Sequence, residues 1–369
     1  MAKLYGGGVE AILMNYYKNI DRTKIQFDFI IDNDSTNTQF FNEVKKLGGE
    51  VIICPPYQHL HEYDKFLYKL FKEKKYKIVH SNINTLSVFP LRIAKKAGIP
   101  IRIAHSHSTS NPKEKKKNFI KNLLRPFSKK YANVYFACSE LAGRYLFGNK
   151  AFDEGKVTII NNAIDLDEFK FNQEIRDKTR NDLANEYPNA KINNDTLIIG
   201  NIGRMVAQKN QAFLIDIFNE VHKQNKNSIL LIIGQGPLKE KLIQKAKELN
   251  IQNSILFLGQ RNETNELYQA MDVFCLPSLY EGLPVVGVEA QANGLLCELS
   301  DSMTKETKVL DMTRFISVDE TPEKWAKIIF NDYENFERKD SNEEMTEKGF
   351  NIKVEGKKLE DKYHELLEN

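Results

Sequence analysis

The sequence predicts an α/β protein of two domains, each built on a parallel sheet, and three observations carry that expectation. Short apolar runs alternate with helical patterns along most of the chain, as strands and crossover helices do in a parallel sheet. At 369 residues the chain is long enough for two such domains, each with its own core. The stretch from Met271 to Gly294, MDVFCLPSLYEGLPVVGVEAQANG, reads as a buried strand, a turn and a helix, the arrangement at which open α/β sheets hold ligands.

Composition narrows the class further. Hydrophobic residues are 41% and charged residues 28%, an ordinary globular balance. Lys+Arg 53 against Asp+Glu 50 leaves +3, too small a surplus to point to nucleic acid. The four cysteines, Cys54, Cys138, Cys275 and Cys297, show no CxxC spacing and read as core thiols of a reducing compartment. No apolar run approaches the roughly 18 residues of a membrane span, and no leader pattern precedes the first turn. The expected location is the cytoplasm.

Taken in order, the chain opens on Gly6-Gly7-Gly8-Val9-Glu10 and a helical pattern through Ile12, Leu13, Tyr16 and Tyr17. Almost no strand precedes these glycines, although the first strand of such a sheet is central. The expectation is that the true start lies upstream of Met1; a stub strand over residues 2–5 is the alternative. Residues 25–31 read as a strand, followed by Asp32-Asn33-Asp34. An Asp-x-Asp can hold a metal-bound nucleotide diphosphate, but this one arrives before any nucleotide-binding unit, and a polar strand-end turn accounts for it. A helix (40–47), a strand (50–54), a helix (63–72), a strand (77–80), a helix (88–97) and a strand (101–104) follow. The last of these strands leads into His105-Ser106-His107-Ser108, two histidines at a carboxyl end.

From Lys113 to Lys130 the string KEKKKNFIKNLLRPFSKK is basic, with Phe119, Ile120, Leu123, Leu124 and Phe127 at helical spacing. A solvated face is one reading; an anionic membrane surface is the other, each basic residue adding about 1 kcal/mol and the apolar side inserting shallowly. After a strand (133–138) and a helix (141–147), VTIINNAIDLDEF begins at Val157. Charge and asparagine accumulate from Asn172 to Asp195. The domain change is placed between 155 and 156, with a second domain over 156–340 and a helical segment, 341–369, expected to return to the first domain.

The second domain opens with a strand (197–201), then Gly203-Arg204-Met205-Val206-Ala207-Gln208-Lys209-Asn210 and a helix (212–223). After a strand and before a helix, Arg204 and Lys209 can converge on a diphosphate, Arg204 as a fork and Lys209 as a point charge. Gly234-Gln235-Gly236-Pro237 lacks a third glycine and reads as a tight strand-to-helix turn. In the Met271 stretch, Glu281 sits on the loop, Pro284 at the first helical residue and Glu289 about one turn inside. Two carboxylates flanking a helix start can hold hydroxyls while free backbone amides face an anion. A sugar nucleotide offers both groups.

The string PSLYEGLPVVGVEAQANG resembles the Glu-x7-Glu signature of the retaining glycosyltransferases with the GT-B fold, the large bacterial group 1 or family 4 that builds capsule, exopolysaccharide and lipopolysaccharide. VTIINNAIDLDEF is similar to that family's interdomain motif, with Ala163 in place of the usual glycine, and Leu296 stands where a proline is common. The resemblance implies a GT-B fold and transfer of a hexose, with retention, from a nucleotide diphosphate sugar, expected to be a UDP-sugar, to a hydroxyl of a lipid-linked or polysaccharide acceptor. It implies that Gly203, Arg204, Lys209, Glu281, Gly282, Leu283 and Glu289 bind the donor. Arg204, Lys209 and the amides near Gly282 and Leu283 would neutralise the diphosphate, so neither metal nor cofactor is expected. Glu289 would hold the ribose hydroxyls and Glu281 those of the sugar. A neutral His107, with His105 as the alternative, would sit at the reacting centre, so His107, Glu281, Arg204 and Lys209 form the expected catalytic set. Two rival readings remain: a UDP-sugar 2-epimerase of similar fold, which needs no acceptor, and a non-catalytic sugar-nucleotide-binding scaffold.

Overall fold

The structure, a computed structural model, describes residues 8–32, 38–108 and 115–368. The chain forms two compact units, Met1–Ile164 with Asn351–Asn369, and Asp165–Phe350. The boundary read between 155 and 156 falls inside the first unit, just ahead of its last strand. The segment read as 341–369 is divided: helix Asn342–Glu347 lies in the second unit and helix Ile352–Glu368 in the first.

In the first unit, among the described residues, β1 (Asp28–Asp32) pairs in parallel with β2 (Glu50–Cys54), while β3 (Ile78–Ser81), β4 (Ile101–Ser106), β5 (Val134–Ala137) and β6 (Val157–Ile159) form a parallel sheet in chain order. Helix Gly8–Asn19 buries Ile12, Leu13, Met14, Tyr16 and Tyr17, the apolar face its sequence spells out. Helix Ile352–Glu368 packs closely on it: a Cβ at Gly356 would lie 2.9 Å from the Asn19 carbonyl oxygen. The strand expected from residue 25 begins only at Asp28, because Ile25 still donates its N–H to the Asp21 carbonyl of the preceding turn. Residues 2–5, Gly6, Gly7, Asn33, Asp34 and Lys113 lie outside the described residues, as do the side chains of Lys115, Lys116 and Lys117. Asp32 ends β1 and is buried.

Helix Lys115–Tyr131 carries the basic segment, and its apolar stripe faces outward. Phe119 is 66% exposed, Ile120 56% and Leu123 57%, against the usual inward direction of such side chains. Among the described residues no helix is long and apolar enough to cross a membrane.

The second unit holds β7 (Leu197–Ile202), β8 (Ser228–Ile233), β9 (Ile255–Gly259), β10 (Val273–Leu276), β11 (Leu296–Ser300) and β12 (Thr313–Ile316). They form one parallel sheet in the order β12-β11-β10-β7-β8-β9. Every residue of β7, β8, β10 and β11 is buried, as helices on both faces require; β10 is apolar throughout and β8 from Ile229 on, while Asn201 in β7 and Glu298 and Ser300 in β11 are buried polar residues. The order reverses between β7 and β10. That is the switch point at which an open α/β sheet leaves a crevice beyond its strands' carboxyl ends. At the other end of the same two strands, Asp272 accepts from Arg176 (2.5 Å), Arg180 (2.8 Å) and the Ile198 amide (2.7 Å). Both arginines come from helix Gln173–Glu186, so the charge-rich stretch after Asn172 is a helix pinned to the sheet.

Candidate active site

Two loops leave the switch point, one after β7 and one after β10, and side chains tie them together. The Asn210 side-chain amide donates to the Pro277 carbonyl (3.1 Å) and the Leu279 N–H to the Gln208 carbonyl (2.8 Å). Gln208 Nε2 donates to the Tyr280 carbonyl (3.0 Å) and to Glu281 Oε2 (3.2 Å). Across the same gap Lys209 Nζ stands 2.7 Å from Glu281 Oε1. Gly203 is what lets Lys209 lie there, since a Cβ at 203 would meet Lys209 Cε at 2.9 Å. Gly234, at φ +129, serves the next turn: a Cβ there would strike the Gly203 carbonyl at 2.2 Å, so the loops after β7 and β8 need both glycines.

Arg204 is exposed on the same loop, and its guanidinium has no partner among the described residues. Its carbonyl accepts from Gln211 Nε2 (3.1 Å), which fixes the backbone beneath it. Helix Val285–Ala292 starts behind the second loop with Pro284 as its N-cap, at ψ 120, rather than as its first helical residue. No side chain caps this helix, so among the described residues the amides of Val285 and Val286 have no acceptor. These amides lie beside Gly282 and Leu283, the positions expected from sequence. Buried polar atoms without a hydrogen-bond partner gather at this end of the sheet: Asn201 Oδ1, Gln211 Oε1, Ser278 Oγ and, apart from its ion pair with Lys209, Glu281 Oε1. A concentration of unsatisfied buried groups marks a place for ligand or water. A lysine, an unpaired arginine and an uncapped helix start together favour an anion there.

Glu289 lies one turn into that helix. Its Oε2 accepts from the Tyr268 hydroxyl at 2.9 Å, and burial pushes its carboxyl up to about 7, with the tyrosine pulling the other way. Tyr268 is itself fully buried at the end of helix Thr264–Ala270.

In the first unit the histidines sit deeper than the sequence suggested. His105 is the fifth residue of β4 rather than part of a loop, and His107 comes just after the strand; both are buried. His107 Nε2 is 2.8 Å from Asn82 Oδ1, and the His107 backbone N–H donates to Asn84 Oδ1 at 2.6 Å. Asn82 Oδ1 can only accept, so Nε2 carries the proton and Nδ1 keeps a lone pair. His105 stacks on His107, ring centroids 3.9 Å apart, and its Nδ1 is 3.0 Å from His80 Nε2. His80 Nδ1 in turn meets the Tyr363 hydroxyl at 2.7 Å. Burial lowers all three histidines, His80 to about 3 and His107 to about 4, so His107 is neutral at physiological pH.

Comparison with known proteins decides the family. The model of the family 4 glycosyltransferases matches residues 6–168 and that of the group 1 glycosyl transferases residues 184–349. EpsF of Bacillus subtilis, named as a glycosyltransferase, is 33% identical over 332 residues, covering 88% of this chain and 84% of its own. The chain belongs to this glycosyltransferase family. A UDP-Gal:α-D-GlcNAc-diphosphoundecaprenol α-1,3-galactosyltransferase of Escherichia coli is 25% identical over 80% of the chain and 76% of its own. CapH of Staphylococcus aureus, a capsular polysaccharide biosynthesis glycosyltransferase, is 24% identical over 89% of the chain and 88% of its own. Among solved structures, Anabaena HepE in complex with UDP superposes with TM-score 0.75 at 17% identity, covering 99% of this chain and 98% of that one. The glycosyltransferase WaaG superposes with TM-score 0.67 at 14% identity, over 98% and 93%. The fold is GT-B.

The glycosyltransferase brings Arg204, Lys209, Glu281 and Glu289 onto two tied loops and the helix behind them, and holds His107 in the other unit. The two departures from the family pattern are absorbed locally. Ala163 is buried without a positive φ, so no glycine is needed, and Leu296 opens β11 in register with Val273. Sequence reasoning missed Gln208, Asn82, Asn84 and Tyr268. Only Gln208 had a signal, lying between two predicted site residues.

Proposed function

We propose that this glycosyltransferase is a retaining, metal-independent hexosyltransferase that moves a hexose from a UDP-sugar to a hydroxyl of a lipid-linked or polysaccharide acceptor, in capsular, exopolysaccharide or lipopolysaccharide synthesis. The observation that carries the reading is the Lys209–Glu281 contact across the switch point, beside a free Arg204 and an uncapped helix start. Lys209, Arg204 and the Val285 and Val286 amides take the diphosphate and stabilise the charge that grows on it as the glycosidic bond breaks. Preorganised donors of this kind typically contribute about 10²–10³ in rate. Glu281 takes hydroxyls of the transferred sugar and Glu289 those of the ribose. His107 enters as a neutral acceptor, its Nδ1 lone pair directed to a substrate hydroxyl. No carboxylate is assigned as a covalent nucleophile, so the acceptor attacks from the face the diphosphate leaves. The UDP-bound HepE structure and the UDP-Gal specificity in the Escherichia coli relative's name support UDP as the nucleotide.

The exposed apolar stripe of helix Lys115–Tyr131, with Lys129 and Lys130 exposed beside it, supports peripheral binding to the anionic inner face of the cell membrane. The deciding experiment incubates the protein with UDP-hexoses, with and without a lipid-linked acceptor. Acceptor-dependent product with the donor's anomeric configuration is expected. Acceptor-independent interconversion of UDP-sugars would establish the epimerase instead, and UDP-sugar binding without turnover the scaffold.

A further inference from the structure

We propose that Tyr268 is a positioning residue for the donor's ribose: its hydroxyl holds one oxygen of Glu289 and leaves the other to the ribose hydroxyls. The inference rests on the ribose role proposed for Glu289.

The ring of Tyr268 is fully buried, with Phe169 and Phe274 each at a centroid distance of 5.8 Å, so the hydroxyl has little freedom. Two acceptors stand within its reach, Glu289 Oε2 at 2.9 Å and the Val286 carbonyl at 3.0 Å. One hydroxyl has one proton to give, and a carboxylate is the stronger acceptor. The carbonyl and the carboxylate belong to adjacent turns of helix Val285–Ala292, so a single hydroxyl ties helix Thr264–Ala270 to the turn on which Glu289 stands. Glu289 Oε1 has no partner among the described residues.

Charge works in the same direction. The titratable groups around the pair are Glu289 and Tyr268 themselves and Cys297 on β11. Burial holds the tyrosine proton far above its ordinary range, so the hydroxyl remains a donor at any working pH. Burial favours the protonated form of Glu289, with its pKa at about 7, and the hydrogen bond from Tyr268 opposes it. With Tyr268 donating to Oε2, a protonated Glu289 would carry its proton on Oε1, the oxygen left to the ribose, and would donate there instead of accepting. Two ribose hydroxyls in a row need the ionised form.

The test is calorimetric titration of the full chain with UDP from pH 6 to 9, for the wild type, Tyr268→Phe, Glu289→Gln and Phe169→Leu. In the wild type, affinity should climb as pH rises through the Glu289 transition. Tyr268→Phe keeps the ring and removes the donor, so affinity at pH 7 should fall about 5–10-fold, and the climb should move up by about half a pH unit. Its kcat at saturating donor should stay within about twofold of wild type, because ribose is bound equally throughout the reaction. UDP's own ionisation is common to all variants and cancels in the comparison. Phe169→Leu loosens the packing but keeps the hydroxyl; it should lower the melting temperature without moving the climb. If Tyr268→Phe loses affinity equally at every pH, or not at all, Tyr268 is only a packing residue and the inference is overturned. If instead Glu289→Gln binds UDP like wild type with the same climb, the ribose role of Glu289 fails, and the inference with it.

Discussion

Glu281→Gln and Glu289→Gln should fail in opposite ways, and the geometry sets the size of the difference. Lys209 Nζ and Glu281 Oε1 are 2.7 Å apart, with only 15% and 10% of their side chains exposed. At an effective dielectric of about 20, that separation corresponds to a gross attraction of roughly 6 kcal/mol. Desolvation and water at the open side of the loops cancel most of it, and about 1.4 kcal/mol, one decade in affinity, is a reasonable remainder. In the free enzyme this remainder is held by the carboxylate. An incoming diphosphate must compete for Lys209 and also approach the Glu281 charge. Glutamine at 281 keeps the shape and removes both costs, so UDP should bind up to about tenfold more tightly. The sugar hydroxyls lose their charged acceptor, and kcat should drop by about 10² or more. Glutamine at 289 should do the reverse, weakening UDP while largely sparing kcat. UDP calorimetry beside steady-state kinetics reads both. If Glu281→Gln weakens UDP as much as Glu289→Gln does, the two carboxylates do not divide the donor as described.

Four further outcomes are expected. Chelation by EDTA should leave turnover intact, because the proposed reading gives the cation's role to Arg204, Lys209 and the helix amides; a strict Mg²⁺ or Mn²⁺ requirement would overturn that reading and favour Asp32-Asn33-Asp34 as a metal site. Gly203→Ala should cut kcat/KM by about 10–100-fold at an unchanged circular dichroism spectrum, since its Cβ would displace Lys209 from 2.9 Å; wild-type kinetics would show that the stem's course over Gly203 is immaterial. Acid should destabilise the first unit early. His80, His105 and His107 are all lowered from their ordinary value, so below about pH 6.5 the unfolded chain binds protons that the folded one refuses. The stability lost approaches about 1.4 kcal/mol per histidine for each pH unit down to about 4, and His80→Gln should flatten the fall of melting temperature between pH 6 and 4. Replacing Lys113, Lys115, Lys116 and Lys117 together by Gln should weaken binding to anionic vesicles and leave soluble-acceptor turnover alone, and wild-type binding should weaken as salt rises; binding indifferent to both would leave the helix a solvated face.

The elements that the sequence revealed well were those whose signal is local. Strand Glu50–Cys54 and helix Val88–Ala97 fall where their apolar runs and punctuation put them. The loop positions of Arg204, Lys209 and Glu281 were legible for the same reason, each following a strand end within a few residues. What stayed hidden was set by tertiary partners. Glu289 gave no sign of Tyr268, which is 21 positions away and in another helix. His107 depends on Asn82 and Asn84, at the end of the neighbouring strand, and polar residues there read as an ordinary turn. Arg176 and Arg180 sit in a stretch whose composition suggests a linker, because a helix that docks through buried arginines lacks the usual apolar stripe. The apolar run ends at Ala104, whereas β4 continues through His105 and Ser106, two polar residues that find partners inside the fold.

Tyr363 closing on His80 has a consequence for the order in which the chain is completed. Ile352 donates its N–H to the Ile164 carbonyl at 2.9 Å, and Glu360 accepts from the Asp21 amide at 2.9 Å, so the first unit is stitched shut by residues that follow the whole second unit in the chain. A protein synthesised from its amino end ordinarily finishes its leading domain first. Here the trailing unit, complete by Phe350, can mature while the leading one still waits for its last helix. A premature stop between Phe350 and Tyr363 would therefore spare the half that carries Lys209, Glu281 and Glu289. It would strand the half that carries His107, whose damage would surface far from where the chain was cut.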